Sequence, residues 1–532
     1  MLLLSDGTVM AQQAASGTNF TSGWFKLTPD NKGSYVKGVW TSRAPMNYTR
    51  LFYSSVVLRD GRVFVAGAEY GTGWNTAEVY SPASDTWTII PVPAGLVTQN
   101  NTVAPIIAVN SAGFMDSGCV LLPDGKVLIS PVNPGTPGGT VIFDPVSNTC
   151  SNGPALVNFN PNSDEQSWVK LPDDSVLTFD SSLRSQRYIP YLNRWIPDAN
   201  LPVQLYDAFG AEIGAGFMLP NGRAFYLGAN GNTVLYTPSG STNVGTWTVG
   251  PTIPNSQAAP DAAAAMMVNG RILCAVSPVP SSPTNIFNIP TSFYEYDYSS
   301  GSIGAFVQVD SPKGNFINAG QSFITRMLDL PDGTVLFADG GSQLYVYQPT
   351  TGPMPAGKPT ISSITANGDG TYHLIGTGLN GISQGAAYGD DAQMDSNFPL
   401  VRVGDGSGNF FYLPTFYWSS TGVATGTNKV STEFFAFQNL GAGSVYSLAT
   451  IANGIASDPV TFYGAVWADF NSVNPTQTGA YDLPYHTLGQ AVTAVPATGF
   501  INIKTAGHTT ETMTITKAMS ISAVGGPATI GQ

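Results

Sequence analysis

The sequence predicts an all-β protein, and three observations carry that prediction. One short hairpin motif recurs seven times at near-regular spacing. Glycine (59) and proline (39) are abundant, which fits many turns and short elements. Hydrophobic residues make up 42% of the 532 residues and charged residues only 10%, against a usual charged share of about a quarter. Cores are therefore well supplied, while Ser, Thr, Asn and Gln carry the surface polarity. A chain of this length exceeds one core, so several domains are expected.

Each copy of the motif is an apolar run, a polar turn and a second apolar run. The seven copies are Leu2–Gln12, Ser55–Gly67, Gly118–Ser130, Ser167–Phe179, Gly216–Gly228, Ala264–Val276 and Thr325–Gly341. Their turn pairs begin at Asp6, Asp60, Asp124, Asp173, Asn221, Asn269 and Asp332. Asp-Gly or Asn-Gly between apolar runs is a strong hairpin signal, and a type I′ turn with φ > 0 at both central residues is expected. A second pair of strands follows each hairpin, as in Asn75–Pro91, where Trp87 falls on the outer strand. Four strands in a unit of about 50 residues is a kelch blade. One such sheet cannot bury both faces alone, whereas radial packing buries both and leaves only short edges. Residues 1–355 are thus expected to form a seven-bladed kelch β-propeller.

Thr350–Pro359 is a Pro/Gly-rich linker. The alternating short strands after it, over 356–464, predict an immunoglobulin-like β-sandwich. The last segment, 465–532, differs. Leu488, Ala491, Val492 and Val495 recur at helical spacing within Leu483–Pro496. Three strand-like runs follow, at Phe500–Lys504, Glu511–Thr516 and Met519–Gly526. A short helix and then short strands predict the capped start of a parallel β-helix. Such a stub buries its open end poorly, so a protein partner or self-association through 465–532 is expected.

The net charge is −13, with 21 Lys plus Arg, which argues against a nucleic-acid partner. The sequence has neither a basic run to hold an anionic membrane nor about 18 consecutive apolar residues to span one. Met1–Ser5 is too short for a signal-peptide core. A leader already removed, or export by another route such as virion assembly, is the expectation. The composition is that of secreted, cell-surface and virion proteins, so an extracellular, cell-surface or virion-surface location is expected. Cys119, Cys150 and Cys274 show neither metal-ligand spacing nor a disulfide framework and are expected to be small buried residues.

With the repeat and the following sandwich in place, the layout over 1–464 resembles the galactose-oxidase family, a seven-bladed kelch propeller followed by an early-set immunoglobulin-like domain. The string Ile382–Val403 looks like the sandwich loop that reaches into the propeller in catalytic members. The resemblance implies a copper ion and a tyrosyl radical, with a Tyr-His pair ahead of the last propeller turn, a second His on the sandwich loop and a Cys–Tyr cross-link between neighbouring blades. Here the Tyr-His slot holds Phe323-Ile324, and the sandwich loop offers Gln393 instead of His. Cys119 lies near the cross-linking position, but Glu165-Gln-Ser-Trp168 stands where the Tyr is required. The only histidines are His373, His486 and His508, none of them in the propeller. Copper needs imidazole or similar ligands, so copper is not expected and a non-catalytic member of the family is.

Ahead of the turns, in the register where the oxidases place a ligand, stand Asp116, Glu165 and Asp261, with Asp164 and Glu212 close by. Residues just before an innermost strand face the central channel, so these five form a candidate axial acidic cluster. Oxygen ligands of this kind suit Ca²⁺, sugar hydroxyls or a cationic group. The function expected is a non-catalytic structural and binding protein that takes a glycan or surface polymer. The alternative is a divergent carbohydrate oxidase or hydrolase working through the acidic cluster.

Overall fold

The computed structural model describes residues 1–13, 21–68, 76–92, 118–130, 139–158, 166–210, 212–388, 398–436 and 440–531. Seven antiparallel sheets follow one another along the first two thirds of the chain. Their innermost strands are Leu2–Leu3, Ser54–Val57, Gly118–Leu121, Val169–Lys170, Gly216–Met218, Ala263–Met266 and Arg326–Asp329. Blades 1 to 5 are simple four-stranded meanders, as the repeat predicts. Blade 6 carries extra short strands, and blade 7 pairs only Arg326–Asp329, Val335–Ala338 and Leu344–Tyr347.

The hydrophobic cores join these sheets in sequence. Val120, Leu128 and Tyr188 join blades 3 and 4 in one core. Phe179 and Tyr226 join blades 4 and 5, and Phe225 and Tyr296 join blades 5 and 6. A further core holds Ala265, Met327, Leu3, Val56 and Cys119 together, which links blades 6, 7, 1, 2 and 3. The ring is therefore closed.

Every repeated turn has the same construction. In the first, the Gly7 N–H donates to the Leu4 carbonyl and the Leu4 N–H to the Thr8 carbonyl. The Asp6 carboxylate accepts the Thr8 N–H at 3.0 Å. The same side-chain bond recurs from Asp60, Asp124, Asp173, Asn221, Asn269 and Asp332. Only the second residue of each pair has positive φ: Gly7, Gly61, Gly125, Asp174, Gly222, Gly270 and Gly333. This corrects the type I′ expectation. The turns are type I followed by a residue in the left-handed region, a G1 bulge. The first Asp or Asn is there for its side-chain acceptor, not for its backbone tolerance.

The sandwich consists of two antiparallel sheets. One contains Thr360–Ala366, Thr371–Thr377, Lys429–Phe435 and Thr415–Phe416, and the other is built on Leu400–Gly404 and Val445–Ala452. Tyr372, Leu374, Val401, Phe434 and Leu448 fill the space between them. It sits on the propeller face that carries the turns. The Thr415 N–H donates to Ser5 O at 3.2 Å, and buried Lys170 donates through Nζ to Thr421 O at 2.7 Å. A Cβ on Gly454 would fall 2.9 Å from Gly333 Cα, so backbone meets backbone there.

The terminal segment is a short parallel stack. Val466–Ala468, Phe500–Ile503 and Ser520–Ala523 form one parallel sheet, and Gly507–Thr509 pairs in parallel with Ala528–Ile530. The predicted helix is present over Leu488–Ala494, with Thr487 and Gln490 forming a capping box. The predicted strand Glu511–Thr516 is not one. Glu511 instead accepts the Leu488 and Gly489 N–H groups at 2.7 and 3.0 Å, a second cap on that helix. No helix among the described residues is long and apolar enough to cross a membrane.

Candidate functional site

The centre of the ring holds a strand from the sandwich. Ala386–Tyr388 pairs antiparallel with Ala263–Met266, matching Ala386 with Ala265, Ala387 with Ala264 and Tyr388 with Ala263. It also touches the innermost strands of blades 5 and 7. The loop before it is held by Asn453. Its Oδ1 accepts the Ile382 N–H at 2.7 Å and the Ser383 N–H at 3.3 Å, while its Nδ2 donates to Asp329 Oδ2 at 3.5 Å. Blade 6 makes room with the run Ala262-Ala-Ala-Ala265, all fully buried. Other repeats place larger side chains on this strand. That alanine run was the available sequence signal for the inserted strand, and it was not read as such.

Two of the five predicted acidic residues are described, and they share one neighbourhood. Asp261 lies just ahead of Ala263 with φ at +50°, and its N–H donates to the Ile213 carbonyl at 3.1 Å. Glu212, the preceding residue, donates its N–H to Asp207 Oδ2 at 2.8 Å. Asp207 also accepts the Phe209 and Gly210 N–H groups, so its carboxylate shapes this loop. Asp116, Asp164 and Glu165 lie outside the described residues. Among the described residues, no group of three or more His, Cys, Asp and Glu is placed to hold a metal ion.

The copper slot can be tested on donor chemistry. Phe323 and Ile324 lie in a short 3₁₀ turn, Ser322–Ile324, and the Phe323 ring packs 4.5 Å from that of Phe287. Neither side chain offers a ligand atom. The Arg326 guanidinium is beside them, donating to the Phe323 and Thr325 carbonyls at 2.7 and 2.8 Å. A fixed cation next to two hydrocarbon side chains does not fit a copper centre. His373 is on the sandwich with Nδ1 2.6 Å from Glu433 Oε1, and His486 and His508 are in the terminal segment. Gln393 lies outside the described residues. Cys119 is buried with its thiol directed at Ser55 O, 3.7 Å away. Burial pushes the Cys150 thiol up to about 12, and raises that of Cys274 as well.

Sequence reasoning also missed three exposed apolar side chains on the propeller face opposite the turns. Successive strands run up and down, so the loops at 198–215, 279–290 and 310–325 emerge opposite the turns. They expose Phe209 (42%), Ile289 (61%) and Phe316 (55%). Tyr206 and Trp168 are packing groups. The Tyr206 hydroxyl donates to Phe179 O, and the Trp168 ring lies 5.4 Å from that of Trp195.

No protein-family model matches the chain, and no curated protein does. Among solved structures, a novel fungal alcohol oxidase of the AA5 family, in complex with copper, aligns at 12% identity and a TM-score of 0.47. The alignment covers 87% of this chain and 95% of that one. A likeness of this size leaves the chemistry of this chain to be argued from its own residues.

Proposed function

We propose that this chain is a non-catalytic structural and binding protein of an extracellular, cell or virion surface. The propeller (1–355) and sandwich (356–464) form its rigid body, and 465–532 joins that body to an assembly. The observation that carries the reading is the slot at Phe323-Ile324, closed by the Phe287 ring and flanked by Arg326. The propeller face opposite the turns is the binding face. Exposed Phe209 and Phe316 supply flat apolar surface, and Asp261 and Glu212 stand half-buried in the loops on the same side. That combination suits a glycan or surface polymer, with Ca²⁺ as an accessory ion at the carboxylates.

The test is a metal analysis of the purified chain, together with assays for hydrogen peroxide release from sugars and simple alcohols and for glycoside hydrolysis. The expected result is no copper and no turnover. Stoichiometric copper, peroxide release, or a hydrolysis lost in Asp261→Asn would overturn the reading.

A further inference from the structure

Six of the seven repeated turns place glycine at their left-handed position, and the fourth places Asp174 there, with φ at +64°. A side chain at such a position carries a backbone penalty that glycine avoids. The exception stands at the joint between propeller and sandwich. A Cβ on Gly422 would overlap Asp174 Oδ1, so the sandwich loop 419–425 lies directly on the carboxylate. Thr421, Gly422 and Val423 of that loop are buried, and Val423 packs in one core with Leu171 and Leu177 of blade 4.

The two carboxylates of this turn are treated differently. Asp173 accepts the Ser175 N–H and hydroxyl at 3.1 and 2.6 Å and lies 3.6 Å from Arg187 Nη1. Asp174 is half-buried, and among the described residues no group donates a hydrogen bond to its carboxylate. Burial raises its pKa from the ordinary value, Lys170 lowers it in part and Asp173 raises it further. Both of these charged groups belong to its own hairpin. The sandwich loop 419–425 brings no titratable residue to the joint. Lys170 is itself buried and directs Nζ to Thr421 O at 2.7 Å.

We propose that the propeller–sandwich joint is tightened by acid, with Asp174 as the group that takes up the proton. At neutral pH the turn presses a negative charge without a hydrogen bond against a buried loop, and local opening to water relieves it. Protonation removes the charge and keeps the packing. The closed joint holds this proton more tightly than the opened one does. The gain in closure is therefore full below the open value of about 3.9 and is lost as pH rises through the higher closed value. The loop carries the effect to the centre of the ring. Asn380 Nδ2 donates to Ser420 O and the Ala424 N–H to Gly381 O, both at 2.8 Å. Gly381 leads into Ile382 and Ser383, which Asn453 holds, and on to the central strand Ala386–Tyr388.

The test is amide exchange of the full chain at pH 7.5 and pH 4.5, corrected for the intrinsic pH dependence of each amide. The expected result is that the Ala424 and Ile382 amides exchange at least about threefold more slowly at the lower pH, as linkage to one carboxyl allows. In Asp174→Asn, which cannot titrate, that slowing is lost. It is lost equally in Asp174→Gly, which restores the residue of the other six turns and so keeps the turn's backbone unstrained. Exchange that does not slow in the unmodified chain overturns the proposal, and so does slowing that persists in either variant.

Discussion

Removing the charge of Glu78 tests how the ring is held at one joint. Arg50 and Glu78 are both fully buried between blades 1 and 2, with Nη2 2.9 Å from Oε1. Arg50 also donates to Gly67 O at 2.6 Å and Thr76 O at 3.2 Å, and burial lowers its pKa from the ordinary value despite Glu78. The carboxylate in turn accepts three N–H groups: Asn47 N and Nδ2, both at 2.7 Å, and Tyr48 N at 3.3 Å. In Glu78→Gln the guanidinium loses its counter-charge, and one of the oxygens facing these donors becomes an amide NH₂. Breaking one side of such a buried pair costs about 3–5 kcal/mol. In Arg50→Met/Glu78→Leu the charge imbalance disappears; water can replace the carboxylate at exposed Asn47 and half-buried Tyr48, and what remains is the buried Gly67 carbonyl without its Arg50 donor, about 1–3 kcal/mol. The double variant is thus expected to be more stable than Glu78→Gln. Urea unfolding followed by tryptophan emission reads this, and Trp24 and Trp87, two of the nine tryptophans, lie at the same joint with rings 5.6 Å apart. A cost below about 1 kcal/mol for Glu78→Gln, less than the burial of an unpaired charge demands, would refute the reasoning.

Other outcomes follow from the same structure. Gly222→Ala should cost about 1–2 kcal/mol, the penalty of the left-handed region alone, since a Cβ there meets nothing within 4 Å. Gly7→Ala should cost distinctly more in the same unfolding assay, because its Cβ would fall 2.3 Å from the Tyr412 ring. Asn453→Ala should cost about 1–3 kcal/mol and speed amide exchange at Ala386 and Ala387, whose loop it holds. The carboxyl of Asp85 is pushed up by burial, but the Ala44 N–H, the Tyr80 hydroxyl and Arg43 outweigh this and leave its pKa below the ordinary value. Its contribution is therefore full above the unfolded value near 3.9 and is lost as pH falls through the lower folded one, a dependence that Asp85→Asn should flatten in acid melts. Ellman's reagent at pH 8 should find no reactive thiol before denaturation and three after it, since Cys119, Cys150 and Cys274 are all buried.

What could be read in the sequence was local. A polar residue followed by a left-handed one between apolar runs marks a hairpin wherever it occurs, and seven of them set the blade count. The turn type was misassigned because φ at the first Asp or Asn does not follow from residue identity when its side chain accepts a bond instead. Glu511–Thr516 alternates like a strand, but alternation does not supply a ladder partner, and Glu511 is committed to the helix end. The strand at the ring's centre was harder to see. Its partner lies more than 100 residues away, and its mark on the sequence is a deficit of side-chain volume at Ala262–Ala265. Of the acidic register, Asp261 and Glu212 come together because the Asp261 N–H bonds the Ile213 carbonyl and Asp207 folds the loop just ahead of it.

The strand Ala386–Tyr388 has a mechanical consequence. It works as a keyed shaft in a hub, because its ladder to Ala263–Met266 lies at the centre of a closed ring. Twisting the sandwich about that axis would have to shear the ladder as well as the contacts over the turns. Phe500 of the terminal stack packs on Tyr372 inside the sandwich, with ring centroids 5.1 Å apart. Torque or tension applied at Ser520–Ala523 therefore passes through Phe500 and the sandwich into the axle, and enters the ring at blades 5, 6 and 7, whose innermost strands the axle touches.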